Sequence, residues 1–98
     1  MGLKDKKDLF SKNRDKWEIC VTNHAYIDYP KRGFSSQEIL RLIKNCTKWK
    51  ITDNKSSDAI EESVLYFVKD SLDRKCKLVL LIEEENKKIR CCSAYREV

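Results

Sequence analysis

One proline, two glycines and a single histidine stand among the 98 residues, and no apolar run approaches the length needed to cross a membrane. With so few chain breakers, most turns have to be made by polar side chains, and Pro30 followed by Gly33 marks the sharpest break in the chain. The five cysteines (Cys20, Cys46, Cys76, Cys91 and Cys92) are odd in number and show no CxxC spacing, which argues against a disulfide framework or a zinc site. They read as reduced thiols in a reducing compartment. With one histidine and no Cys/His cluster, neither a metal nor another cofactor is expected. Residues 1–16 are charged throughout and unlike a signal peptide, so the expected address is the cytoplasm, with no membrane partner.

What is present is charge. Charged residues make up 38% of the chain and hydrophobic ones 41%, too apolar for a disordered polymer, so one folded domain over 1–98 is expected. The net charge of +5 is unevenly spread: residues 1–16 carry six Lys/Arg against three Asp, and residues 53–62 carry four acids against Lys55. A basic face beside an acidic one favours a polyanion on one side only. A solvated lysine-rich surface explains the same charge equally well.

The periodicities predict a basic helix or mobile arm over residues 1–16, with a thin stripe of Leu3, Phe10 and Trp17. Trp17 to Thr22 alternates as a half-buried strand running into Asn23 and His24. Ser35 and Glu38 form a capping box that opens a helix from Ser36 to Asn45, with Ile39, Leu42, Ile43 and Cys46 on one face. Thr47 to Thr52 is a short strand or extended loop and Asp53 to Asp58 a polar turn; in Ala59–Asp70, Asp58 with Glu61 would cap a helix bearing Ile60, Val64, Phe67 and Val68, but the aromatic and β-branched content of the second half favours a strand there. Lys75 to Glu83 is apolar on both faces at its centre and reads as an inner strand of a sheet covered at least partly on both sides. A polar hairpin, Glu84 to Lys87, returns the chain into Lys88–Tyr95. A period of two through that last strand places Arg90 and Arg96 on one face, and Ile89, Cys91, Ser93 and Tyr95 on the other. Tyr66, Phe67, Trp17 and Trp49 are expected in the core. These readings amount to an α+β fold: an antiparallel sheet of three to four strands with one or two helices packed on a face.

Asn23 to Cys46 concentrates the remaining signals: the histidine in His24-Ala25, a short spacer, Lys31-Arg32-Gly33, an apolar Phe34, then Ser35 and the amphipathic helix. Following a hydrophobic strand, this order resembles the N-terminal part of small RelE-like and BrnT-like ribonuclease toxin domains. The segment from Lys87 to Glu97, with Ile89-Arg90 and Ser93-Ala94 ahead of a basic residue, is similar to the last strand of BrnT-type proteins. The two matches span most of Trp17 to Glu97.

The resemblance implies a sheet with a concave basic face that holds RNA, and metal-independent cleavage by attack of the neighbouring 2'-hydroxyl. Such chemistry needs an acid and a base, and cations for the charge on the phosphorane. His24 is the acid/base candidate, Arg32 and Arg90 the phosphate-binding arginines, and Lys31 and Arg96 secondary charges. Tyr95, Tyr26 or Tyr29 would stack a base or donate a phenolic proton. The implied protein is the toxin of a toxin-antitoxin or mobile-element system, with RNA, free or on the ribosome, and a small acidic antitoxin or inhibitor protein as partners. One place departs: where relatives often carry an arginine one helical turn after the histidine, this chain has Asp28. An acid there repels phosphate, which keeps open a non-cleaving RNA- or ribosome-binding module of the same fold. A small protein-interaction domain using a sheet edge is the third class. For Arg90 a plainer role stands beside the catalytic one: pairing with the glutamates of its hairpin.

Overall fold

Alternating strands and one well-capped helix define the architecture in the computed structural model, which describes residues 2–21, 34–54 and 63–96. The elements are α1 (Leu3–Asn13), β1 (Glu18–Val21), α2 (Ser36–Lys44), β2 (Trp49–Asp53), β3 (Val64–Lys69), β4 (Lys75–Glu83) and β5 (Lys88–Arg96). Of the expected polar turn at 53–58, Asp53 is instead the last residue of β2, while 55–58 and the break at Pro30 lie outside the described residues.

The basic N-terminal segment is a helix. Asp5 in the first turn of α1 and Lys12 in the last both suit the helix dipole. Its buried contact is Phe10, whose ring meets Trp49 edge-on at 5.0 Å and Tyr66 at 5.1 Å. Leu3 and Trp17 pack against the same cluster, as their spacing predicts. At the start of α2, Ser35 Oγ accepts the amide of Glu38 at 3.1 Å, satisfying one of the orphan donors of the first turn. Ile39, Leu42 and Ile43 are buried, each contributing roughly 1.5–3 kcal/mol of apolar burial. At the other end of this helix the Tyr66 hydroxyl donates to the Leu42 carbonyl at 2.5 Å, so a strand side chain takes up a terminal acceptor.

The sheet has five strands in the order β1-β5-β4-β3-β2. β2 to β5 pair antiparallel, and β1 pairs parallel with β5, Ile19 beside Ile89 and Val21 beside Cys91. The α+β class holds, but the expected three to four antiparallel strands become five in a mixed sheet. The difference lies at the edges: Trp49–Asp53 is a strand rather than a loop, and side-chain alternation in Glu18–Val21 carries no information about its parallel neighbour.

Both described helices cover one face. Ile51, Val64, Tyr66, Val68, Cys76, Leu78, Leu80, Ile89, Cys91 and Ala94 point to it and form one core with Phe10, Phe34, Ile39, Leu42 and Ile43. On the opposite face no helix packs among the described residues. Of these elements, no helix is long and apolar enough to cross a membrane.

Candidate nucleic-acid interface

The open face follows from the core face by parity. Since Val64, Tyr66 and Val68 are buried, Leu65, Phe67 and Lys69 project the other way. Phe67 is thus not in the core with Tyr66; adjacent residues of a strand take opposite sides, and Phe67 is half-buried on the open face. The register sets Phe67 between Lys50 on β2 and Lys77 on β4. Val79 and Leu81, also half-buried, extend the apolar strip along β4.

In β5 the period of two breaks once. Val79 pairs with Ser93 and Leu80 with Cys91, leaving Cys92 as the extra residue of a bulge. Ile89 and Cys91 are buried before the bulge and Ala94 after it, so the parity of the strand reverses. Arg90, opposite Leu81, and Tyr95, opposite Lys77, therefore lie on the same open face. Position 96 pairs with Cys76 in the backbone register. The unbroken count of two that sets Tyr95 with Ile89 and Cys91 is corrected accordingly, because it misses the bulge; the Arg96 side chain, and with it the expected sharing of a face by Arg90 and Arg96, lies outside the described residues.

Tyr95 is 36% exposed, with Lys77 Nζ 5.2 Å from its ring centre, a cross-strand cation–π pair. Arg90 donates through Nε to Glu83 Oε1, the hairpin pairing that was its plainer expected role. Asn86 Nδ2 also donates to Glu83, at 2.6 Å. The Asn86 amide and then the Arg90 guanidinium hold the Glu83 carboxyl below its ordinary value, against a smaller upward push from burial. Held through Nε, Arg90 keeps the outer edge of its guanidinium for a second acceptor. Beside it, burial pushes the Cys92 thiol up, against the pull of Arg90, so that thiol stays protonated near neutral pH. All five cysteines are free.

Of the sequence-derived candidates, Arg90 and Tyr95 thus share one face, with Leu81 and Lys77 as their respective register partners. His24, Tyr26, Lys31 and Arg32 lie outside the described residues, as do Asp28 and Tyr29. Lys50, Phe67 and Lys77 were not singled out as binding residues, although strict alternation already separates Phe67 from Tyr66. Among the described residues no three His, Cys, Asp or Glu side chains are grouped to hold a metal ion. Compared with known proteins, the chain matches no family model, no curated protein and no solved structure.

Proposed function

We propose that the chain binds single-stranded RNA across the open face of its sheet, and that it is a metal-independent endoribonuclease of the RelE-like toxin type, held silent by a small acidic partner in the cytoplasm. The observation that carries the binding reading is the interleaving of rings and cations on that face: Phe67 between Lys50 and Lys77, and Tyr95 under Lys77 with Arg90 on the same strand. Rings accept unstacked bases regardless of sequence, while the cations track the phosphates. The cleavage reading rests on the likeness of His24-Ala25, Lys31-Arg32-Gly33 and Ile89-Arg90 to ribonuclease toxins.

A second reading, RNA binding without cleavage, draws on Glu83: a carboxylate that neutralises Arg90 weakens the one described arginine proposed to stabilise a phosphorane. Incubating RNA with the protein in EDTA separates the two. Cleavage leaving 2',3'-cyclic phosphate ends, reduced roughly a hundredfold to ten-thousandfold by His24→Ala, supports the enzyme. Retention of RNA with intact strands, on free RNA and on translating ribosomes, supports the binding module.

A further inference from the structure

An open cleft of about 550 Å³ lies where β2 begins, β3 ends and β4 begins. Four of its lining residues are lysines, Lys48, Lys50, Lys69 and Lys75, against the single acid Asp73. Asp73 pairs with Lys69 at 3.6 Å, and among the described residues Lys48, Lys50 and Lys75 make no ion pair. Lys69 and Lys75 are register partners, like charges directly opposite each other across β3 and β4. Such a pair is mutually repulsive in a sheet, and Asp73 answers only the Lys69 charge. Trp49 and Phe67 supply aromatic wall, and Phe67 also belongs to the open face described above. Behind Trp49, the Arg14 guanidinium carbon stands 5.8 Å from its ring, with Nη1 buried and without a hydrogen-bond partner.

We infer that this cleft holds a terminal phosphate of the RNA strand, with the adjoining base against Phe67; the inference rests on the RNA-binding reading and names which part of the strand anchors there. The charge balance decides for an end over an interior phosphate. A phosphodiester brings one negative charge, whereas a terminal phosphomonoester brings about −1.5 to −2 at neutral pH with three acceptor oxygens. Three unpaired ammonium groups in one cleft match the second. The cleft also sits at the end of the sheet, next to the turn between β3 and β4, where a strand lying along the face would terminate.

The test is fluorescence anisotropy with the full chain and one short labelled RNA made in three forms: hydroxyl at both ends, 5'-phosphate, and 3'-phosphate, the 2'-positions methoxylated to prevent cutting. One phosphorylated form is expected to bind about tenfold more tightly than the hydroxyl form, the worth of one charge-assisted hydrogen bond. Lys48→Ala with Lys75→Ala should erase that gap and leave the hydroxyl form within about twofold of its parent affinity. Inorganic phosphate should compete only with the phosphorylated form. Equal binding of all three forms overturns the end-anchoring inference and leaves RNA binding standing. A gap that survives the double variant also overturns it, and no binding of any form at low salt overturns both.

Discussion

The Arg90 guanidinium is tied by Nε to Glu83 across the hairpin, so an arginine facing outward on the sheet is already half-neutralised by its own scaffold. Because Asn86 and Arg90 hold the Glu83 carboxyl low, acidification from pH 7 to 5 does not release Arg90. Replacing the carboxylate does. Glu83→Gln should therefore tighten RNA binding severalfold and steepen its salt dependence by about 0.7 in log–log slope, one further cation engaged on a single strand. An unchanged affinity, with the fold intact by circular dichroism, would remove Arg90 from the RNA path.

Tyr95 and Lys77 act as a pair, so their variants should separate stacking from charge. Tyr95→Ala should weaken RNA binding by about 1–3 kcal/mol with little change in salt slope. Lys77→Ala should lower the slope by about 0.7. Titrations at three salt concentrations distinguish the two; a Tyr95→Ala protein that binds as the parent does would exclude the ring from the interface.

The turn between β3 and β4 depends on Asp70, whose Oδ1 accepts the amides of Leu72 and Arg74, each at 2.9 Å, while Oδ2 takes Arg74 Nε at 2.8 Å. Burial pushes this carboxyl up, but the two amides and the guanidinium outweigh it and hold the group below its ordinary value. A depressed acid contributes stability that is fully present above the unfolded value of about 3.9 and is lost as pH falls through the folded value. Asp70→Ala should thus cost about 2 kcal/mol in urea unfolding at pH 7 and at pH 5, and less at pH 3 and below. A difference that grows toward low pH would contradict the assignment.

Several parts of the fold were legible because one physical signal dominated each. Lys75–Glu83 reads as a strand with its observed bounds, since both faces are apolar at its centre. Ser35 with Glu38 places the start of α2 because the cap bond is local. Long-range facts left weaker traces. Alternation shows which side chains share a face but not that Glu18–Val21 runs parallel to β5. The bulge at Cys92 carries no glycine to announce it, so an unbroken count of two puts Ala94 and Tyr95 on the wrong faces. In the candidate site, Arg90 and Tyr95 were found by residue type; their common face required the register.

Lys87 sits in the β4–β5 turn at φ 52, a left-handed conformation that costs an L-residue about 1–2 kcal/mol. Glycine has no such penalty there, although its greater freedom in the unfolded chain offsets part of the gain. Lys87→Gly should raise stability by about 0.5 kcal/mol, read as a higher urea midpoint at an unchanged slope. A lower midpoint would mean that the lysine side chain holds the turn.

The central claim is that RNA lies on the sheet face against which no described helix packs, and amide chemical-shift mapping by NMR on the 98-residue chain, titrated with a short non-cleavable single-stranded RNA at low salt, tests it most directly. The expected result is salt-sensitive perturbation along β3 to β5, strongest around Phe67, Lys77, Arg90 and Tyr95, with little change at Leu9, Lys12 or Arg41 on the helices. Perturbations concentrated on α1 and α2, or none at any RNA concentration, would contradict it.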